Sequence, residues 1–513
     1  MPRRRQSGLL IHITSLPGAY SVGDMGPVAV DFAGHMSRLG FSVWQMLPLT
    51  PTAEIFGNSP YCAPSAFAGN LLLVSPDALA QEGFVTQEEL AAWFAPSLGR
   101  ADFASAHSCK KSLLALAWRR FCAEPEKFAD VRGEYEAFCA EEDSWLRDYA
   151  LFTLLKEKFD GAPWAAWPAP YAAHDESALD LLLCEEKEGV DFIRFCQFVF
   201  YRQLRALSLR CAECGVTLMG DLPIYIAWDS ADVWASRELF DLDEQGFPRG
   251  VAGVPPDYFS PTGQRWGNPL YNWERMRADD FAWWRARIAH TLKYFGLLRI
   301  DHFRGLCAFW AIPASEPTAV NGEWRQAQGK EMLRAFQKID WAGRGPLPFI
   351  AEDLGIITDD VRDLMRELGL PGMKVLMFAF GGEVDNPYLP HNTEPASVVY
   401  TGTHDNDTAV GWWRAGSSVR ERINFSLYSG REVTRENAAA VMTRMALSSA
   451  AELAVVPVQD ILGLDGSCRM NVPSQASGSW QWRLTPQQMK NIAEPGCDFV
   501  GVLKELNKIY GRI

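Results

Sequence analysis

Eight short apolar runs punctuate the chain, at residues 8–13, 41–48, 216–220, 295–300, 349–351, 373–380, 397–401 and 453–456, and most are followed by apolar residues at helical spacing. Runs of this length, apolar throughout rather than alternating, mark strands buried on both faces, as in a parallel sheet. Eight of them alternating with helices predict an α/β fold, a closed (β/α)8 TIM barrel whose strand C-termini converge on one mouth. At 513 residues the chain is long for one compact domain, but a barrel absorbs that length through insertions.

Two segments interrupt the repeat. From about 75 to 208, Thr86-Gln87-Glu88-Glu89 opens like a capping box, and residues 112–121, 148–159 and 191–207 carry apolar side chains at helical spacing, such as Leu151, Leu154, Leu155 and Phe159. This reads as a largely helical insertion, and no Gly/Ser linker sets it apart as a separate domain. Residues 221–275 read as a loop-rich insertion, followed by a helix over 279–295. Its stretch 253–269 contains Tyr258, Phe259, Gln264 and Trp266. A loop so long and aromatic is usually functional. Both insertions are expected on the C-terminal face. A helical pattern after the eighth run argues against a C-terminal β-domain.

The runs end in acids. Arg299-Ile300-Asp301-His302 closes the fourth, Ala351-Glu352 the fifth and Thr403-His404-Asp405 the seventh. Three carboxylates facing one mouth repel one another, so stability does not put them there. Asp221 adds a fourth acid after the third run. Arg299 sits two residues before Asp301, on the same strand face, placed to hold that acid ionised. Paired carboxyls suit glycoside chemistry: one stays ionised and attacks an anomeric carbon, the other stays protonated and donates to the leaving oxygen. Two other readings remain open at this point: a Mg or Zn site joined by His302 and His404, or solvated turns.

Nineteen tryptophans are present. Flat aromatic faces pack on the C–H faces of sugars. Trp228, Trp234, Trp266, Trp273, Trp412, Trp413, Trp480 and Trp482 fall in loop regions, and most are expected simply to pack. Trp266 is the best candidate for ligand contact.

A formal net charge of −14 disfavours nucleic acid and anionic membrane as partners. No apolar run approaches the ~18 residues of a membrane span, and residues 8–13 are too short and polar-ended for a secretory core. The 11 cysteines, an odd number scattered through apolar segments, suit reduced thiols and a cytoplasmic protein. Cys211 and Cys214 form one CxxC at the end of a helical pattern, where the helix dipole does not activate a thiol, and no second pair completes a zinc site.

With these residues in view, the sequence resembles the 4-α-glucanotransferases of the amylomaltase (disproportionating enzyme) type, glycoside hydrolase family 77, relatives of the α-amylases. The matching motifs run from end to end: Trp44-Gln45-Met46-Leu47-Pro48-Leu49, Asn58-Ser59-Pro60-Tyr61, Asp221-Leu222-Pro223-Ile224-Tyr225, Asp229-Ser230-Ala231-Asp232-Val233-Trp234, Pro255-Pro256-Asp257-Tyr258-Phe259-Ser260, Arg299-Ile300-Asp301-His302-Phe303-Arg304-Gly305, Ala351-Glu352-Asp353-Leu354-Gly355, Gly402-Thr403-His404-Asp405-Asn406-Asp407-Thr408 and Arg469-Met470-Asn471.

The resemblance implies a single catalytic domain over 1–513 that acts by retaining double displacement. It implies Asp301 as nucleophile, Glu352 as general acid and base, and Asp405 as the third carboxylate, which binds sugar hydroxyls. Tyr61, Asp221, Arg299, His302 and His404 would surround the reacting glucose. Tyr258, Phe259, Gln264, Trp266 and Asn471 would form the loop and rim, with 253–269 covering the substrate and favouring an acceptor over water. Implied partners are maltooligosaccharides and starch- or glycogen-type α-1,4-glucans, with glucose as acceptor; no cofactor and no metal is implied. The sequence departs from the family pattern at Cys62 and Met377, where Gln is common, and over 473–480. These departures bear on acceptor contacts and chain-length preference. The rival functions are an α-amylase-like hydrolase and a non-catalytic glucan-binding protein.

Overall fold

The structure, a computed structural model, describes residues 5–513 apart from 97–98, 257–259, 342, 344–346, 356, 474 and 476–477. The described residues form strands β1 (Gln6–Leu10), β2 (Val43–Gln45), β3 (Thr217–Pro223), β4 (Gly250–Val254), β5 (Gln264–Pro269), β6 (Leu297–Asp301), β7 (Ala308–Pro313), β8 (Glu323–Gln326), β9 (Phe349–Ala351), β10 (Gly372–Val375), β11 (Ser397–Tyr400) and β12 (Leu453–Pro457). Eight of these, β1-β2-β3-β6-β9-β10-β11-β12, close into a barrel in chain order, every neighbouring pair parallel. These are the eight expected runs. Their continuous apolar character follows from burial: every residue of β11 and β12 is buried.

Several strands are shorter than their apolar runs. The run 373–380 leaves the sheet at Val375 and turns through Leu376–Phe378. Only Val43–Gln45 of the run 41–48 is strand. Met46, Leu47 and Met377 are nonetheless buried. Hydrophobicity tracks burial, which continues past the last ladder hydrogen bond as the chain bends over the mouth.

The capping box at Thr86 is formed: its side chain accepts from the N–H of Glu89 at 3.2 Å, and Glu89 accepts from the N–H of Thr86 at 2.6 Å. The segment 75–208 contains the long helices Phe103–Ala123 and Ala129–Lys158. Its last helix, Lys187–Glu213, runs on into β3. It packs on Ala129–Lys158 and also on the barrel helix Pro27–Arg38, so one helix serves both layers. The helix expected over 279–295 spans Ala282–Leu292 instead. Asp280 and Phe281 adopt left-handed φ of 56° and 55°, which breaks it from the preceding Trp273–Ala278.

Much of the stretch read as loop from 250 onward is sheet. β4 and β5 form an antiparallel hairpin, and β4 also pairs with β7, giving the order β5-β4-β7-β8. Gly250, Gly253, Gly267 and Pro269 lie within these strands and carry turn chemistry locally. The pairing that overrides it comes from β7, far along the chain.

Beyond β12 the described residues form helices Val458–Ile461, Pro486–Ala493 and Phe499–Ile509 and no strand. The last is stitched to β1 through Asn507, which accepts from Ser7 Oγ at 2.7 Å, and through Arg512, which donates to the carbonyl of Gln6 at 2.6 Å. Among the described residues no helix is long and apolar enough to cross a membrane.

Candidate active site

Arg299 organises the mouth. β3 and β6 pair so that Asp221 faces Arg299 in register, and Arg299 and Asp301 share a strand face. The guanidinium is 3% exposed. Its Nη1 contacts both oxygens of Asp221 at 2.7 Å, its Nη2 lies 2.7 Å from Asp301 Oδ1, and its Nε donates to the sulfur of Met373 on β10 at 3.4 Å. Burial pushes the Asp221 carboxyl up, and the guanidinium opposes that shift. Tyr61 completes the arrangement, donating its hydroxyl to Asp221 Oδ2 at 2.7 Å.

Glu352 follows β9, the strand next to β6. Its carboxylate accepts the N–H of His302 and the N–H of Leu354, each at 2.8 Å. Those bonds and Arg299 favour the ionised form, yet burial first, with the neighbouring Asp301 charge, pushes the carboxyl up to about 7. His302 adopts a left-handed φ of 52°. Burial holds its imidazole down at about 4, so the ring is neutral at physiological pH.

Asp405 is held from the other side of the barrel. Asn471 Nδ2 donates to Asp405 Oδ1 at 2.6 Å, and His404 Nε2 lies 3.4 Å from the same oxygen. Arg469 donates to the Asp405 carbonyl at 2.5 Å and to the Asn471 carbonyl at 2.6 Å, fixing both loops together. The His404 ring stacks on Tyr61 with centroids 5.1 Å apart, and Trp480 flanks both.

On the rim, Trp266 on β5 meets the His302 ring edge-on at 4.8 Å and is 38% exposed. Gln264 Oε1 accepts its indole N–H at 3.2 Å. Tyr258 and Phe259 lie outside the described residues. Trp234, Trp273, Trp412, Trp480 and Trp482 are buried. Met377 packs against Gly402, where a Cβ would lie 3.0 Å from its sulfur. Cys62 is half-buried beside Tyr61. Of the departing stretch 473–480, residues 474, 476 and 477 lie outside the described residues. Among those described, no three His, Cys, Asp or Glu side chains come together to hold a metal ion.

Three contributors were given no role from the sequence, although Gln45 and Arg469 stand in matching motifs: Met373, Arg469 and the pair Tyr400–Gln45, whose side chains join at 2.9 Å between β11 and β2. A polar residue inside an apolar barrel strand, as at Gln45, is the signal that marks such positions.

The chain as a whole is similar to known proteins. Residues 11–489 match the family model for glycoside hydrolase family 77, described as 4-alpha-glucanotransferase. The chain is 45% identical over 495 residues to the 4-alpha-glucanotransferase of Thermus thermophilus, covering 94% of this chain and 96% of that one. It is 44% identical over 513 residues to the 4-alpha-glucanotransferase of Synechocystis, covering 99% and 98%. Among solved structures it is similar to amylomaltase from Streptococcus agalactiae in complex with acarbose, with TM-score 0.91 and 33% identity over 99% of this chain and 100% of that one.

Proposed function

Because the chain belongs to the 4-alpha-glucanotransferases of glycoside hydrolase family 77, enzymes acting on α-1,4-glucans, we propose that it transfers glucan segments by retaining double displacement, with Asp301 as nucleophile and Glu352 as general acid and base. A carboxylate oxygen of Asp301 bonds to the anomeric carbon as the bond to the leaving 4-oxygen breaks, and that oxygen takes the proton of Glu352. The 4-OH of an incoming glucan then attacks the anomeric carbon. Its proton passes to Glu352, and the ester to Asp301 breaks.

One observation carries this reading: two carboxyls at the ends of adjacent strands have different surroundings. Asp301 contacts the Arg299 guanidinium at 2.7 Å, while Glu352 is pushed up to about 7. A carboxyl raised to about 7 is what a proton donor requires at neutral pH. Asp405, braced by Asn471 and His404, is read as gripping the hydroxyls of the reacting glucose. Tyr61, Asp221, Arg299, His302 and His404 surround that glucose, and Gln264, Trp266 and Asn471 guide the chain and acceptor.

Transfer must outrun hydrolysis. Against water at ~55 M, an acceptor at ~5 mM needs an advantage above ~10⁴, or roughly 5.5 kcal/mol in the second barrier. Orientation of the acceptor by the 253–269 segment supplies it. We assign maltooligosaccharides and starch- or glycogen-type glucans as donors and glucose as an acceptor. We read 1–513 as one catalytic domain, with a helical insertion over 75–208 and a loop-rich one over 221–275. All eleven cysteines are free, which suits a reducing cytoplasm.

Two experiments test the proposal. Maltotriose incubated with the protein should give glucose and a ladder of longer maltodextrins at constant total reducing ends; rising reducing ends without longer products would make hydrolysis the main reaction. Glu352→Gln incubated with maltotriosyl fluoride, whose leaving group needs no acid, should carry glucan on the peptide containing Asp301 after acid quench. Label on another residue, or none, would remove Asp301 as nucleophile.

A further inference from the structure

The loop that carries His404 and Asp405 borders a small cavity, lined among others by His12, Thr403, His404, Asp407, Gln459 and Arg469. Leu10 at the end of β1 and Pro457 at the end of β12 also line it. Its volume is about 20 Å³. One water needs roughly 10–15 Å³ of such space and two to four polar partners. The cavity therefore has room for one water.

His12 supplies the independent observation. It is 6% exposed, and its Nδ1 is buried without a hydrogen-bond partner. Buried polar atoms are almost always paired, so an orphan nitrogen on a residue that lines a cavity calls for a partner. Burial, with His404 nearby, holds this imidazole down at about 3. The ring is therefore neutral, with one nitrogen donating and the other accepting. The same loop is anchored by Arg469 and Asn471. A contact from His12 through the cavity would brace it further.

We propose that the cavity holds a single water linking Nδ1 of His12 to the His404–Asp405 loop, which makes His12 a positioning residue for Asp405. This rests on the reading of Asp405 as the carboxylate that grips the reacting glucose. Such a brace acts on the chemical step and leaves the rim contacts alone, so it affects kcat more than KM.

The side-chain amide of Asn stands near the position of Nδ1, that of Gln near Nε2, and Leu replaces neither. His12→Asn should keep kcat within about threefold of the natural protein, while His12→Gln and His12→Leu should lose at least about tenfold in kcat with KM little changed. A Leu variant with full kcat, or an Asn variant as impaired as Leu, would overturn the proposal. A crystal structure of the natural protein that orders solvent gives a test without variants: one water within hydrogen-bond distance of Nδ1 supports it, and a dry cavity overturns it. Asp405→Asn separates the two layers. If that variant keeps turnover, the reading of Asp405 fails; if it is inactive and the cavity is dry, only the water bridge fails.

Discussion

His302 reaches Glu352 through its backbone rather than its ring: its N–H donates to Glu352 Oε2 at 2.8 Å from a residue with φ of 52°. A left-handed conformation at a non-glycine residue costs roughly 1–3 kcal/mol. Here it lets the peptide face the acid while the imidazole turns to Trp266. One residue thus ties together Glu352, the end of the Asp301 strand and the rim.

That coupling predicts a strong effect at Gly305, a residue that touches no carboxylate in the site. A Cβ there would lie 2.9 Å from His302 Cδ2 and 2.9 Å from Ile224 Cδ1. Gly305→Ala should displace the imidazole and lower kcat/KM for maltotriose roughly 10–100-fold, the scale of a misplacement near 1 Å. Wild-type kinetics in this variant would show that the ring position is not limiting.

Glu352 sets the pH dependence. A carboxyl near 7 must hold its proton in the free enzyme for the first step. kcat/KM should therefore fall tenfold per pH unit above about 7. The same shift acts on stability with the opposite sign to a salt-bridged acid. Between its ordinary value near 4.5 and about 7, the unfolded chain releases this proton while the folded one retains it, so the glutamate progressively disfavours folding as pH rises. Glu352→Gln should abolish turnover, spare glucan binding and gain stability relative to the natural protein between pH 4.5 and 7. A pH-independent difference in denaturation midpoint would contradict the raised value.

The barrel and its three acids were legible because each rests on a local pattern: a short apolar run, then a carboxylate at its end. The pairing of Arg299 with Asp301 was legible from their two-residue spacing. The bond from Arg299 to Asp221 was not, since it depends on the register of β3 against β6. The β5-β4-β7-β8 sheet escaped for a related reason: its strands carry glycine and proline and are held by partners distant in sequence. Arg469 stood in a matching motif, but its role was not legible, because an arginine that holds two carbonyls looks, in sequence, like any loop arginine.

Arg299 predicts a separation of stability from activity. Replacing it with Met leaves Asp221 buried and without its guanidinium, which should cost roughly 3–5 kcal/mol in chemical denaturation. Adding Asp221→Leu removes the orphaned charge and should recover much of that loss, since apolar residues often replace a buried ion pair without penalty. Activity should not return in the double variant, because Asp301 still lacks its partner at 2.7 Å. Recovery of turnover together with stability would reduce Arg299 to a structural role.

Trp266 is where transfer and hydrolysis should part. It is exposed to 38% on a hairpin at the rim, so its loss leaves the barrel core intact and Trp266→Ala should unfold with the natural protein to within about 0.5 kcal/mol. Its contacts include the His302 and Tyr225 rings and Gln264, so it is linked to the acid through His302. If it orients the acceptor, the first displacement should proceed at near-normal rate while the choice between acceptor and water shifts. The ratio of lengthened products to new reducing ends from maltotriose should then fall roughly 10–100-fold, equivalent to about 1.4–2.8 kcal/mol of the second barrier. A proportional loss of both products would instead place Trp266 in donor binding, and an unchanged ratio would move acceptor selection to another part of the mouth.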